Sequence, residues 1–377
     1  MTRVAIVIDS LWIGGAQRLI ATFAASASAY DITPIVVSLQ DDNPSVILDS
    51  IRSAGVRALT VPSQSIFNLK RLRWLIKFFG DEGIDVVQTH LLYANILGTI
   101  AAHIAKIPVI ATLHSTHVDK GWRISLLRQM ENYILRHYAT RILAVGNKVA
   151  VANQSFYGGR KVDVIPNGIP APEAISLQAR NQIRHDIAGD ETRSIIITVG
   201  RFSTAKAYED MIEAFDLLRQ KDQKPLLLMV GKGSTVDSVK AKINSLRLDQ
   251  SVILAGERHD VPQLLASSDV YASSSHREGL PLAVLEAMMA GLPIVATSVG
   301  DIPNVVTEDT GVIVPPRNPA MLAAALEKLL GDPQRMLAMG KAARKRALTE
   351  YSVDVWMRRH VALYMDVLKF HGNKGMQ

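Results

Sequence analysis

Along this chain, short apolar runs rich in Val and Ile alternate with longer stretches in which apolar residues recur every three or four positions. Arg3–Ile8, Pro34–Leu39, Val56–Val61, Asp85–Gln88, Val109–Leu113, Arg141–Val145 and Val162–Ile165 predict seven strands in the first half. Ser194–Val199, Leu226–Val230, Val252–Leu254, Val270–Ala272, Ile294–Ala296 and Val312–Val314 predict six more in the second. The runs are nearly continuous in apolar residues, so both faces of each strand are expected to lie under helices, as in parallel sheets. Right-handed β-α-β crossovers then give an α/β protein with two doubly wound, Rossmann-like domains. Between them, Ile165-Pro166-Asn167-Gly168-Ile169-Pro170-Ala171-Pro172 carries three prolines and an Asn-Gly pair, which neither a strand nor a helix can continue. The expected division is residues 1–168, residues 169–350 and a terminal segment 351–377, with an amphipathic helix over Tyr351–Phe370. Ligands of such sheets bind beyond the carboxyl ends of the strands, so a cleft between the two domains is the expected site.

Bulk properties narrow the class. A chain of 377 residues with 48% hydrophobic and 20% charged residues can bury a core in each of two domains. It has no cysteine, which removes disulfides, thiolate metal sites and a cysteine nucleophile and suits a reducing compartment. No apolar run approaches the roughly 18–20 residues of a membrane span. Val4–Ile8 breaks at Asp9 and reads as a first strand rather than a signal peptide. A cytoplasmic protein is expected, with the inner face of the cytoplasmic membrane as a candidate location. The net charge of +7 is uneven: residues 1–168 hold 17 Lys and Arg against 11 Asp and Glu, a balance of +6, which leaves +1 for the rest. Anionic membrane, phosphorylated acceptors and nucleic acid all suit a basic first half.

The richest stretch is Glu278-Gly279-Leu280-Pro281-Leu282-Ala283-Val284-Leu285-Glu286. Pro281 suits the first position of a helix, Gly279 and Leu280 the cap with free N–H groups, and Glu278 and Glu286 then stand at two depths along one ligand. Carboxylates accept from sugar and ribose hydroxyls, and a helix start favours phosphate; a capped surface helix with two solvated acids fits the same pattern. Gly200-Arg201-Phe202-Ser203-Thr204-Ala205-Lys206 follows a strand, and its two cations suit a diphosphate, or solvent. Gly14-Gly15 opens a helix near Ala16, where glycine permits close backbone approach; a plain tight turn is equally compatible. It is not a dinucleotide fingerprint, and Gly231-Lys232-Gly233-Ser234 lacks the first glycine of a P-loop, so dehydrogenase and ATPase readings lose support. His90 and His114 close two strands and are placed to face a cleft, for structure or for a sugar hydroxyl. No His, Asp or Glu spacing suggests a metal, so none is expected. Ile66–Phe79 is a basic amphipathic helix candidate, with Leu69, Leu72, Leu75, Ile76 and Phe79 on one face. Lys70, Arg71, Arg73 and Lys77, with Trp74 and Phe78 beside them, suit either solvent or an anionic membrane, and Trp122, Arg123 and Arg128 would extend that surface. No aromatic-basic RNA module accompanies the patch, so nucleic acid is not expected.

Taken together these residues resemble the retaining, two-domain glycosyltransferases of the GT-B fold, family 4 type (glycosyl transferases group 1). The likeness runs from Gly14-Gly15-Ala16 through His114, Pro166-Asn167-Gly168, Gly200-Arg201 and Lys206 to Glu278-Gly279-Leu280-Pro281, Glu286 and Gly291-Leu292-Pro293. It implies a donor that is a nucleotide sugar, UDP-linked by default, and an acceptor that is a saccharide or polyprenyl-linked. It also implies that Arg201 and Lys206 hold the diphosphate, that Glu286 takes the ribose, and that Glu278 with the amides of Gly279 and Leu280 takes the sugar. Gly15 would approach the phosphates, His114 would line the sugar or acceptor site, and Asp260 with Val261 would meet the base. Gln17, Ala207 and Pro170 depart from the usual glutamate, glycine and aspartate. A nucleotide-sugar epimerase or hydrolase of the same fold, and a non-catalytic sensor, are the competing classes.

Overall fold

The computed structural model describes residues 1–12, 14–40, 45–61, 68–115, 122–190, 192–220 and 224–374. They form two compact units, residues 1–168 with 353–377 and residues 169–352.

In the first unit, β1 (Thr2–Ile8), β2 (Ile32–Ser38), β3 (Arg57–Thr60), β4 (Val86–His90), β5 (Val109–Leu113), β6 (Arg141–Ala144) and β7 (Val162–Val164) make one parallel sheet in the order β3-β2-β1-β4-β5-β6-β7. Its helices are α1 (Gly15–Ser26), α2 (Val46–Ser53), α3 (Leu69–Asp81), α4 (Leu92–Ile104), α5 (Trp122–Tyr138) and α6 (Asn147–Gln154). The second unit holds α7 (Leu177–Ala188), β8 (Ile195–Val199), α8 (Tyr208–Arg219), β9 (Leu226–Val230), α9 (Val236–Ser245), β10 (Val252–Gly256), α10 (Val261–Ala266) and β11 (Val270–Ser273). It continues with α11 (Leu282–Met289), β12 (Ile294–Thr297), α12 (Ile302–Val305), β13 (Gly311–Val314), α13 (Pro319–Leu330) and α14 (Pro333–Glu350), and its sheet order is β10-β9-β8-β11-β12-β13.

The thirteen expected strands are all present, and burial on both faces explains why. On β8, Ile195 and Ile197 enter one core cluster and Ile196 the opposite one; on β9, Leu226, Leu228 and Val230 face the first and Leu227 and Met229 the second. A strand that alternated polar and apolar residues would put charge into one of those cores. In each sheet the strand order reverses at one place, between β1 and β4 and between β8 and β11. The crevice at such a reversal is where ligands bind in open α/β sheets.

Gly231 and Gly233 have a backbone role. A Cβ on Gly231 would lie 2.0 Å from the Gly200 carbonyl oxygen and one on Gly233 2.1 Å from that of Phe202. These glycines let the chain leaving β9 close on the loop leaving β8.

The final helix, α15 (Val353–Lys374), belongs to the first unit. It starts two residues later than expected, because Tyr351 and Ser352 stay with the second unit: the Ile169 N–H donates to the Tyr351 carbonyl at 2.8 Å. Trp356, His360 and Tyr364 of α15 surround Phe23 of α1 edge-on at 5.6–6.3 Å, and the Tyr364 hydroxyl donates to Gln88.

The basic helix differs from expectation. α3 begins at Leu69, and Ile66 lies outside the described residues. Leu69 is exposed rather than packed, Phe78 is buried under Trp74 with the rings stacked at 4.9 Å, and Arg71 is buried, its Nη2 donating to the Leu39 carbonyl at 2.7 Å. A helical repeat cannot show that a long guanidinium stem turns inward to cap a strand-end carbonyl. The side that faces solvent is therefore Leu69, Lys70, Arg73, Trp74 and Lys77, with Lys77 paired to Asp81 at 2.7 Å.

Candidate active site

The reversal between β8 and β11 concentrates charge. The loop Gly200–Lys206 leaves β8, and the segment carrying Ser274, Ser275 and Glu278 leaves β11. Lys206 Nζ donates to Glu278 Oε1 at 2.6 Å, and Ser275 Oγ donates to the same oxygen at 2.6 Å. Both charged side chains are mostly buried, at 21% and 11% exposed, so their pairing is screened less than a surface ion pair. Gly200 makes room for the lysine, since a Cβ there would meet Lys206 Cε at 3.2 Å and Nζ at 3.5 Å. The loops are pinned together by Ser274, whose hydroxyl donates to the carbonyls of Lys206 and Ala207 at 3.1 and 2.9 Å, and by the His276 N–H on the Ala205 carbonyl at 2.8 Å. Ala207 is left-handed at φ 49, a conformation that glycine takes freely and alanine at a cost of about 1–2 kcal/mol. The loop thus keeps the shape glycine would give it, held by the bonds onto its carbonyl.

Pro281 is the N-cap of α11, not its first helical residue: its ψ of 117 is extended and the helix begins at Leu282. The proline still stops the strand-end segment and starts the helix, and it brings no capping side chain. Among the described residues no side chain caps the first N–H groups of α11, and an uncapped helix start favours an anion. Glu278 and Gly279 rest on Gly300, whose φ is +54; a Cβ on it would lie 2.4 and 2.5 Å from their carbonyl oxygens. The Asp301 N–H also donates to the Gly279 carbonyl at 2.8 Å. Leu280 is buried in the core, while Glu286 is half-buried one turn into α11. The two carboxylates share a neighbourhood: burial first, then the charges of Tyr208, Glu278 and Glu286, hold the Tyr271 phenol well above its ordinary range.

Arg201 is exposed on the loop after β8. Asp260 stands at the N-cap position of α10, two strands away, where its carboxylate accepts from Arg258 at 2.8 and 2.6 Å instead of capping the helix, a bond that lowers its pKa, while Val261 packs half-buried on the core.

In the first unit, His90 Nδ1 and His114 Nε2 lie 2.9 Å apart. Burial lowers the pKa of His114 to about 4 and that of His90 well below its usual value, so both rings are neutral near pH 7 and one donates to the other. Gly15 opens α1 behind Gly14, and Gln17 turns back to donate to the Ser10 carbonyl at 3.2 Å. Trp122 and Arg123 cannot be placed on the basic surface, as their side chains fall outside the described residues. Arg128 does not belong to it, because it pairs with the fully buried Glu131 at 2.8 Å.

A family model described as Glycosyl transferases group 1 matches residues 179–346, and one described as Glycosyltransferase Family 4 matches residues 13–171. The chain belongs to the GT-B glycosyltransferases of the group 1, family 4 type. The enzyme is 27% identical over 330 residues to UDP-Gal:alpha-D-GlcNAc-diphosphoundecaprenol alpha-1,3-galactosyltransferase of Escherichia coli, covering 85% of each chain. It is 26% identical over 314 residues to the capsular polysaccharide biosynthesis glycosyltransferase CapM of Staphylococcus aureus, covering 80% of this chain and 82% of that one. Among solved structures it superposes on Anabaena HepE in complex with UDP with a TM-score of 0.87 at 19% identity, over 97% of this chain and all of that one.

Several residues of the candidate site carry no assigned role in the sequence reading. Ser275 and Gly300 matter only through contacts made across loops, although the Ser273-Ser274-Ser275 run at a strand end is a readable cue. Tyr271 looked like one more apolar strand residue.

Proposed function

We propose that the enzyme transfers a hexose or N-acetylhexosamine from a nucleotide sugar, UDP-linked, to a lipid-linked or cell-surface saccharide, with retention of anomeric configuration. The observation that carries this reading is the buried Lys206–Glu278 pair at the β8/β11 reversal, beside the start of α11. An ammonium group there suits a leaving diphosphate, and Arg201 adds a second cation. Glu278 accepts from sugar hydroxyls, aided by the amides of Gly279 and Leu280, and Glu286 accepts from the ribose. Asp260 and Val261 are assigned to the base, Gly15 to close backbone approach to a ligand, and His114, neutral, to a sugar hydroxyl. No bound metal is required, because the cations and the helix start carry the diphosphate charge. Among the described residues no side chain is poised as a covalent nucleophile; the acceptor oxygen attacks on the face the diphosphate leaves, and the departing phosphate takes the hydroxyl proton. The names of the Escherichia coli relative and of the HepE complex, with UDP-galactose in one and UDP in the other, support this choice of donor.

A thermal-shift screen of nucleotide sugars tests it. One UDP-sugar is expected to raise the melting temperature by several degrees, as saturating ligand does, and Glu286→Ala is expected to erase most of that shift. No response to any nucleoside diphosphate or its sugars defeats the proposal.

We propose as well that α3 meets anionic membrane through its exposed Leu69, Lys70, Arg73, Trp74 and Lys77. Among the described residues no helix is long and apolar enough to cross a membrane. At about 1 kcal/mol per basic residue, replacing Lys70, Arg73 and Lys77 by serine should weaken co-sedimentation with phosphatidylglycerol vesicles about 100-fold. Unchanged binding in that variant, or none in the parent, removes the membrane role.

A further inference from the structure

Lys206 reaches Glu278 on a flexible four-carbon stem, so the place of its ammonium group depends on the backbone that carries it. That backbone leans on the segment leaving β11. The Ala205 carbonyl accepts the N–H groups of His276 and Arg277 at 2.8 and 3.3 Å, and the Ser274 hydroxyl donates to the carbonyls of Lys206 and Ala207. Both peptides flanking the lysine are thus held by the residues that lead into Glu278. Beyond them the chain turns sharply: Ala207 is left-handed at φ 49, and α8 begins at Tyr208. A left-handed alanine is strained, and such a conformation persists only where its surroundings enforce it.

A side-chain pair holds the same segment from the side of the helix. Asp210, in the first turn of α8, accepts a hydrogen bond from His276 Nε2 at 2.8 Å. An ionised carboxylate has no hydrogen to give, so the ring carries its proton on Nε2 in this bond. The two side chains are only 22% and 25% exposed, which shields the contact from salt better than a surface pair. The helix they tie to is rigid, because Tyr208, Met211, Ile212 and Phe215 of α8 are buried in one core cluster. His276 therefore acts at two points: its N–H holds Ala205, one residue before the lysine, and its ring fastens the segment to α8.

We propose that His276 is a positioning residue for Lys206: its ring, anchored on Asp210, holds the ammonium group where it meets the diphosphate of the donor. This rests on the reading of the chain as a nucleotide-sugar glycosyltransferase. The ring acts through the lysine and not on the donor itself. Glu278 still holds the ammonium group at 2.6 Å when the ring is absent, so its removal loosens the lysine rather than releasing it.

The test is calorimetric titration of the full-length protein with UDP, in wild type, His276→Ala, Lys206→Ala and the double variant. His276→Ala keeps its N–H on Ala205 and should weaken UDP binding about tenfold, the size of one lost hydrogen bond to a charged group. In the Lys206→Ala background the same substitution should change affinity less than about threefold, because residues that act through one another are not additive. Asp210→Ala should match His276→Ala. His276→Gln, whose amide can still donate to Asp210, should recover most of the loss. Wild-type affinity in His276→Ala, an equal loss in both backgrounds, or no recovery in His276→Gln overturns the proposal. If melting curves show His276→Ala unfolded, Asp210→Ala decides, and wild-type affinity there overturns it. Failure of the wild type to bind UDP overturns the donor reading and the role of His276 with it, whereas binding with additive losses overturns the role of His276 alone.

Discussion

Lys206→Ala is expected to lower kcat/KM for sugar transfer by about 10²–10³-fold while the protein stays folded, since removing one preorganised donor to a developing anion has an effect of that size. The ammonium group stands on Glu278 at 2.6 Å with only a fifth of its side chain exposed, and Gly200 leaves it space along the end of β8. There it can serve a leaving phosphate without first being stripped of bulk water, so its loss is felt where charge develops. Glu278 keeps the Ser275 hydroxyl in the variant, which limits the structural damage. A UDP-release assay with the donor found by thermal shift, together with a melting curve, measures both halves. Activity within threefold of wild type in a folded variant would remove Lys206 from the leaving-group role. Lys206→Arg should not restore full activity, because a planar guanidinium does not reproduce a compact ammonium point charge.

Gly300→Ala should damage both the stability and the donor binding of the second unit. Its φ of +54 alone costs an alanine about 1–2 kcal/mol. The added carbon would also lie 2.4 and 2.5 Å from the carbonyl oxygens of Glu278 and Gly279, so the segment must move, and overpacking of that kind adds about 1–3 kcal/mol. Gly256→Ala is the matched control: its φ is +66, but nothing stands within 4 Å of the new carbon, so only the first cost applies. Urea unfolding should therefore show a loss of about 3 kcal/mol for Gly300→Ala and about 1 kcal/mol for Gly256→Ala. Donor binding should fall only in the former, because only there does the backbone of Glu278 shift. Equal losses in the two variants would mean that the contact with Glu278 and Gly279 is not what Gly300 provides.

The strands and their parallel arrangement were legible because burial on both faces removes polar alternation, as Ile195–Val199 and Leu226–Val230 show. The residue types at the site were legible for a related reason: strand ends and helix starts are marked by Gly200, Gly279 and Pro281. How those residues engage one another was not. Lys206 and Glu278 stand 72 positions apart, and only the folded sheet shows Lys206 and Ser275 donating to one Glu278 oxygen. Pro281 moved from first turn to cap, because a proline's φ suits both positions and its ψ is set by the segment before it. Arg71 was misplaced on the solvent face because helical periodicity assigns a Cα to a face and says nothing of where a long side chain ends. Asp9 reads in the sequence only as the stop of a strand, because the Ala94 N–H that it accepts lies 85 positions further on.

The measurement that bears most directly on the proposed donor pocket is calorimetric titration of the intact protein with UDP, in wild type and in Lys206→Ala. The structure of the β8/β11 reversal predicts saturable binding to the wild type, and binding at least about tenfold weaker, a loss of about 1.4 kcal/mol or more, to the variant. No binding by the wild type, or equal affinity in the two, would contradict it.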